Sequence, residues 1–201
     1  KLEADKKTVK WLKEFFGYTP NMKVGDKMFL FDEARNFSFA QVPKDYDWIL
    51  WMDTDDVFLN GHKLKDVVKL GDENKIEAFY FDYLYQVEVE QDENTPPEEW
   101  KIRNVIIQHL RERLIRNEGK FKWIAPIHET LIEQTPTNKS DNYDCYVLHM
   151  AEHQDRIESI YRNLSNLELA IYKTEGKDPR QLYYLSKSYV DLSTLGKREY
   201  L

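Results

Sequence analysis

One stretch, DWILWMDTDDVF at residues 47–58, limits the possible folds of this chain more than any other. Its first part, residues 47–52, is rich in aromatic and branched apolar side chains, which favours a buried β-strand. Asp53, Asp55 and Asp56 follow at once, and carboxylates this close repel by about 1 kcal/mol in water and by more beside an apolar wall. The stretch therefore predicts a strand that ends in a cluster of carboxylates, for which a bound cation is one explanation.

The composition is that of a globular chain with a substantial core. Of the 201 residues, 41% are apolar and 14% aromatic, which suits one domain or one domain with a small addition. The net charge of −7 argues against a non-specific binder of nucleic acid. No apolar run is long enough to predict a transmembrane helix. The single Cys145 excludes an internal disulfide and a Cys-rich zinc site, and we expect it to be a buried, unreactive thiol.

The spacing of apolar residues changes near residue 150 and divides the chain there. Before that point the pattern predicts alternating strands and helices. The predicted elements are a helix at 5–17 that stops at Gly17, a short strand and a helical turn within 28–42, a strand at 47–52, a helix at 62–70, one long strand or two at 76–90, two strands joined by a turn within 111–124, and a strand at 143–150. The acidic segment 91–100 and the polar segment 134–142 are predicted loops.

After residue 150 the apolar spacing becomes helical. Two helices joined at GKDP predict a hairpin of about one tetratricopeptide-like unit. Such a hairpin cannot bury both faces alone, so we expect it to pack on the α/β part or on further repeats. The predicted organisation is an α/β domain at 1–150 and the helical hairpin at 151–201.

The acidic triplet allows more than one interpretation. A calcium-binding EF loop is excluded, because that loop needs Gly at its sixth position and Glu at its twelfth, where Phe58 and Leu64 stand. In an extended backbone Asp53 and Asp55 point to one side and Asp56 to the other. Ligands of open α/β sheets bind beyond the carboxyl ends of strands, so the first two would form a site for Mg²⁺ or Mn²⁺. On the triplet alone, a strand that ends in a solvated acidic turn is the preferred interpretation.

The neighbouring motifs reverse that preference. FDEARNFSFAQVPKDYDWILWMDTDDVF, RERLIRNEGKFKWIAPIHETL and VLHMAEH resemble successive blocks of family 2 glycosyltransferases with the GT-A fold. The tail RNLSNLELAIYKTEGKDPRQLYYLSKSYVDL is similar to the tetratricopeptide-like extension of one branch of that family. The resemblance covers residues 5–201 and implies a partial GT-A-like mixed sheet with flanking helices, followed by the hairpin.

The resemblance starts late in the family's pattern. The family's opening strands, which form most of the nucleotide-base pocket, have no counterpart in KLEA at residues 1–4. The chain also begins at Lys1 rather than Met and shows no signal peptide. We therefore expect a cytoplasmic protein of which this chain is a fragment or a processed product, and independent catalysis by the chain alone is an open question.

The resemblance also implies roles for particular residues. Asp55 would hold the metal, Mn²⁺ or Mg²⁺, with Asp53 and His128 as further ligands. Asp53 would also contact the ribose or diphosphate of the donor. The other residues that the resemblance assigns to the donor are Arg35, Asn36 and Arg113. Glu129 is a candidate catalytic base for the acceptor, and Asp56 is the alternative.

Structural interpretations stand beside these roles. His128 also fits a hydrogen-bonded histidine in a strand-exit turn, and Arg35 fits a surface salt bridge. A zincin motif is excluded, because Ile132 stands where the second histidine is needed. His149 and His153 are four apart and would share a helix face, but two histidines without a third ligand seldom bind metal. Three aromatic residues fit either sugar stacking or the core: Trp51, Trp123 and Tyr83.

The sequence thus predicts a metal-dependent, inverting glycosyltransferase that moves a sugar from a nucleotide-diphosphate donor, with a UDP-sugar favoured. Its acceptor would be a glycan, a lipid or a protein. The alternative is a non-catalytic interaction module that binds a protein partner through the helical tail. Metal-dependent phosphoester hydrolysis also uses paired aspartates, but it leaves the RN and IHE blocks without a role.

Overall fold

The computed structural model describes residues 2–90, 95–96, 99–150 and 156–194. Within these residues the fold is mixed α/β, with five α-helices and a five-stranded mixed sheet. This confirms the predicted α/β class.

Helices and strands alternate along most of the chain. In order they are β1 (Leu2–Glu3), α1 (Lys6–Phe16), β2 (Lys27–Met28), α2 (Phe31–Ala40), β3 (Trp48–Leu50), β4 (Asp56–Leu59), α3 (Leu64–Asn74) after a 3₁₀ turn at Gly61–Lys63, β5 (Ala78–Glu90), β6 (Lys101–Arg116), β7 (Phe121–Ile124), β8 (Thr130–Glu133), β9 (Lys139–His149), α4 (Arg156–Lys173) and α5 (Pro179–Thr194). No described helix combines the length and the apolar character that crossing a membrane requires.

The main sheet has the strand order β3-β6-β5-β9-β4. β5 and β9 run parallel, and the other neighbouring pairs are antiparallel. β3 and β4 are only five residues apart in sequence, yet they lie at opposite edges of the sheet. Residues 51–55 must therefore cross the ends of the three strands between them.

The chain divides into two compact units. The helical unit comprises residues 1–37, 123–130 and 153–201, and the sheet unit comprises residues 38–122 and 131–152. Each unit has its own apolar core among the described residues. The domain boundary predicted at residue 150 stays a prediction.

The helical unit is built on the α4–α5 hairpin. Leu164, Leu167 and Leu185 form its centre, and α1 packs against α4 through a second cluster around Leu12. This packing of α1 covers a face that the hairpin alone would leave exposed, as the sequence predicted. Buried Glu168 of α4 accepts hydrogen bonds from two backbone N–H groups of the loop between α1 and β2, so it ties that loop to the hairpin.

The sheet unit places α3 over one face of the main sheet. Val67 of α3 packs in one cluster with Phe79 and Phe81 of β5 and with Leu114 of β6. Cys145 is fully buried in the same cluster, as predicted. Burial of these side chains fixes which face of β5 and β6 points inward and thereby sets the register of the central strands.

Several predicted elements need correction. β6 begins at Lys101, and it pairs with β3 and β5 while β7 pairs with β8, so the hairpin predicted within 111–124 does not form. The acidic triplet does not simply end the strand predicted at 47–52, because Asp56–Leu59 form the further strand β4. The predicted loop at 134–142 is too long, since β9 starts at residue 139. Most of the acidic segment 91–100 lies outside the described residues.

The helix face predicted for His149 and His153 is also wrong. His149 ends β9, where it lies opposite Asp56 of β4. β4 is the neighbouring strand at this position, and Asp56 pairs with His149. The sequence around His149 does not reveal that pairing. His153 lies outside the described residues.

Candidate functional site

The segment from Asp53 to Asp55 forms a tight turn that leads into β4 at Asp56, rather than an extended strand. Asp56 N–H donates to the carbonyl oxygen of Asp53 at 3.1 Å, and Asp53 N–H donates to Asp56 Oδ2 at 3.1 Å. These reciprocal bonds close the turn, and they overturn the expectation that Asp53 and Asp55 share one side of an extended backbone. The turn directs Asp56 inward, where its side chain is 0% exposed, and leaves that of Asp55 47% exposed.

Neighbouring strands anchor the segment on both sides of this turn. Trp51 N–H donates to the carbonyl oxygen of Arg113 in β6 at 3.1 Å. At the other end, Met150 N–H donates to the carbonyl oxygen of Asp55 at 2.8 Å. The crossing segment is therefore held at fixed points above the sheet, and this holds the carboxylates in place.

Asp56 is the most highly coordinated carboxylate of the site. Its Oδ1 accepts from the hydroxyl of Tyr83 at 3.1 Å and faces Nδ1 of His149 at 3.2 Å. Its Oδ2 lies 3.1 Å from Nη2 of Arg113 and also accepts the Asp53 N–H. These contacts use both oxygens of the carboxylate and hold it in place. This arrangement favours a positioning role over the base role that the resemblance implied.

Arg113 is a fully buried cation beside these carboxylates. Its side chain is 1% exposed, and its guanidinium lies 4.1 Å from the ring centroid of Trp51 and 4.4 Å from that of Tyr83. The two rings thus cover the guanidinium. Nε and Nη1 of Arg113 have no hydrogen-bond partner within the described part of the chain. Trp51 and Tyr83 are buried, as the core interpretation predicted.

The titration of the buried pair follows from these contacts. Burial acts to raise the pKa of Asp56, but the bond from His149, the charge of Arg113 and the bonds from Asp53 N–H and Tyr83 outweigh burial and lower it. The bond to Asp56 raises the pKa of His149, against the opposing effect of burial. Burial lowers the pKa of Arg113, while Asp56 acts in the opposite direction. The ionised carboxylate is therefore the stable form of Asp56 at neutral pH.

The residues around the turn fit a divalent metal. One ligand atom each from Asp55, Asp56 and His149 lie within 4.8 Å of one another. Two carboxylates and an imidazole form a donor set that suits Mn²⁺ and also Zn²⁺, while Mg²⁺ favours the oxygens. Nδ1 of His149 lies 3.2 Å from Asp56 Oδ1 and 4.0 Å from Asp55 Oδ2, so it is the ring nitrogen that faces both carboxylates. Asp53 adjoins this cluster through its backbone bond to Asp56.

A second group of predicted residues lies in the helical unit. Arg35 Nε donates to Glu129 Oε1 at 2.7 Å, and the side chains are 24% and 12% exposed. Asn36 accepts from Trp123 N–H at 2.9 Å and donates to the carbonyl oxygen of Trp123 at 2.8 Å. Both ends of the Asn36 amide are thus used to hold α2 on β7. Trp123 is buried, and the Arg35 guanidinium lies 4.9 Å from its ring centroid.

His128 also belongs to the helical unit. Its backbone has a φ of 51°, a left-handed conformation that costs free energy for a residue other than glycine. Its ring stacks on Tyr184 of α5 with centroids 4.1 Å apart, and its carbonyl oxygen accepts from Arg180 at 2.9 Å. Burial lowers the pKa of His128, although Glu129 acts to raise it. The neutral ring is the form that binds metal, so the lowered pKa is compatible with the metal role that the resemblance implies. That role of His128 stays a prediction.

Sequence reasoning missed His149 and the contribution of Tyr83 to the carboxylate cluster. One signal was available for His149, because it stands at the carboxyl end of a predicted strand, where ligands of α/β sheets bind. Its partner was not predictable, because Asp56 and His149 are far apart in sequence and meet only through the pairing of β4 with β9. Tyr83 carried no separate signal, since its spacing is that of a core residue.

Comparison with known proteins adds no assignment. No protein-family model matches the chain, and no curated protein matches its sequence.

Proposed function

We propose that this chain is a metal-dependent glycosyltransferase of GT-A type, which transfers a sugar from a nucleotide-diphosphate donor to an acceptor. The observation that carries the proposal is the convergence of Asp55, Asp56 and His149 within 4.8 Å, directly after the DTDD turn. The resemblance of the flanking RN and IHE blocks supports the same reaction class.

The cation supplies one chemical contribution when bound, namely neutralisation of the charge that develops on the diphosphate leaving group. The chain's own residues do the rest. Asp55, the most exposed of the three, offers an accessible ligand oxygen, and Asp56 orients the imidazole of His149. Arg113 is held immobile between two rings and keeps a positive charge next to the carboxylates. The carboxylates, the imidazole and the guanidinium are thus held in position before a ligand binds.

The acceptor hydroxyl must lose a proton as it attacks the anomeric carbon. Glu129 and Asp56 are the two candidates for the base. Asp56 is held by Tyr83 and Arg113, and its lowered pKa makes it a weak base. Glu129 is paired with Arg35, which would have to release it in the complex with substrate. Asp56 is therefore the weaker candidate, and the base role of Glu129 is proposed from the resemblance alone.

Calorimetric titration of UDP with and without Mn²⁺ tests the proposal. We expect saturable binding only with Mn²⁺, and a loss of at least about tenfold, roughly 1.4 kcal/mol, in Asp55→Asn. Asp45→Asn is the matched control, because Asp45 is an exposed aspartate of the same unit, away from the turn. Equal binding of UDP in the presence and absence of Mn²⁺ would contradict the proposed mechanism.

A second candidate function is an interaction module, and one observation favours it. Tyr183 and Val190 of α5 are both more than half exposed, and their spacing of seven residues puts them on the same helix face. Binding of a protein partner that is retained in Asp55→Asn and lost in Tyr183→Ser would support this function. Formation of a glycosylated product would count against it as the main role.

A further inference from the structure

Aromatic rings form a continuous group beside the carboxylate turn. Tyr85 of β5 stacks on His149 with centroids 5.1 Å apart and planes inclined by 7°. His109 of β6 meets Tyr83 edge to face at 5.2 Å and lies 6.0 Å from Tyr85. All four rings belong to the sheet unit, and the hydroxyl of Tyr83 bonds to Asp56. The group therefore connects directly to the candidate metal ligands.

The rings differ in their access to solvent. Tyr83 is buried, whereas Tyr85 is 49% exposed and His109 is exposed as well. Tyr85 has one face on His149, so the solvent-exposed part of its ring lies away from that contact. A tyrosine already held by stacking loses little conformational entropy when a ligand covers it.

The charge of His109 suits contact with an apolar surface. Loss of hydration lowers the pKa of His109, and the nearby cations Arg111 and Arg113 lower it further. The imidazole is therefore neutral at pH 7. A neutral imidazole and a phenol ring offer electron-rich faces to the slightly positive C–H groups of a ligand.

The combination of exposed rings and nearby carboxylates defines the chemistry of the ligand. Aromatic faces bind an apolar, flat surface, and carboxylates such as that of Asp55 accept hydrogen bonds from hydroxyl groups. A pyranose ring offers both, because one face carries C–H groups and its edge carries hydroxyls. An acyl chain would use the rings but would leave the carboxylates desolvated and without partners.

We propose that Tyr85 and His109 form a stacking surface for a pyranose ring of a glycan acceptor, next to the Asp55–Asp56–His149 cluster. This inference rests on the proposed glycosyltransferase function, and it selects a glycan among the glycan, lipid and protein acceptors. Tyr85 contributes a half-exposed phenol ring, and His109 extends the surface along β6.

Saturation-transfer NMR with small glycosides tests the inference. The probes are methyl β-D-glucopyranoside, methyl β-D-galactopyranoside and octyl β-D-glucopyranoside below its micelle concentration. We expect saturation transfer to the ring C–H protons of at least one probe. Tyr85→Phe should retain this binding, and Tyr85→Ala should weaken its affinity roughly three- to tenfold. His109→Ala should weaken it as well. Tyr143→Ala is the matched control, because Tyr143 is a 65% exposed tyrosine of the same unit outside the aromatic group.

Three results would overturn the inference. The first is the absence of transfer to every glycoside in the wild type. The second is transfer to the protons of the octyl chain without transfer to those of the sugar ring, which would indicate an apolar acceptor. The third is loss of Mn²⁺-dependent UDP binding in Tyr85→Ala together with loss of the glycoside, because Tyr85 would then act only by holding His149.

The same variants separate this inference from the proposed function. Glycoside binding that depends on Tyr85 supports the stacking surface even when UDP does not bind the chain. Mn²⁺-dependent UDP binding without any glycoside binding overturns the stacking surface and leaves the proposed donor site standing.

Discussion

At the scale of single residues, the ion pair between Asp56 and Arg113 is the feature with the clearest energetic consequence. Both side chains are fully buried, so removal of one partner leaves an uncompensated charge in the interior. We expect Asp56→Ala to lower the free energy of unfolding by about 3–5 kcal/mol, measured by urea unfolding with tryptophan fluorescence.

A surface pair provides the control for this prediction. Arg116 pairs with Asp72, whose side chain is 54% exposed, and a pair of that kind contributes at most about 1 kcal/mol. Asp72→Ala should therefore cost far less than Asp56→Ala. If both variants lost the same stability, Asp56 would not be buried against Arg113 as described.

At the scale of elements, a local signal predicted the end of α1, whereas α3 runs to Asn74 and not to residue 70. Asp5 caps α1 by accepting from Thr8 N–H, and Gly17 ends it with a φ of 72°. These signals act within one helical turn, so the sequence alone contains them. The DTDD turn was mispredicted for the opposite reason. Its shape depends on β3 and β4 lying at opposite edges of the sheet, which no local pattern encodes.

The first part of β6 was missed for a related physical reason. Residues 103–110 are exposed on both faces, because they pair with β5 in a region that the core clusters do not cover. A strand without a buried face lacks the alternation of apolar and polar residues by which strands are recognised. Burial on one face explains why 76–90 was recognised as strand, since the buried residues Phe79, Phe81 and Tyr83 alternate with the more exposed Tyr80 and Asp82.

Gly71 of α3 gives the prediction that belongs to this scale. Alanine normally stabilises a helix interior by about 1 kcal/mol relative to glycine. At Gly71, however, a Cβ atom would lie 2.6 Å from the ring of Trp48 and 2.9 Å from that of Phe79. We expect Gly71→Ala to destabilise the protein by about 1–3 kcal/mol in thermal or urea unfolding. Glu73→Ala on the exposed face should change stability little, and a stabilised Gly71→Ala would contradict the close packing of α3 on β3.

At the scale of the whole molecule, the sequence-predicted site residues divide between the two units. Asp53, Asp55, Asp56 and Arg113 lie in the sheet unit, and Arg35, Asn36, His128 and Glu129 lie in the helical unit. Each group has extensive contacts within its own unit, so each is tested by itself. Metal binding distinguishes the two groups in an experiment, because each group has one candidate histidine. His149 lies in the first group and His128 in the second.

Hydrogen exchange followed by mass spectrometry shows which histidine binds the metal. A ligand that binds only the folded site opposes local opening, and at 100 times its dissociation constant it slows exchange by up to about 100-fold. If Asp55, Asp56 and His149 hold Mn²⁺, protection should rise in β4 and at the end of β9 and vanish in Asp55→Asn. The segment 125–130 should then exchange as before. Protection of 125–130 that is lost in His128→Gln would instead favour the ligand set that the resemblance implied, with His128 in place of His149.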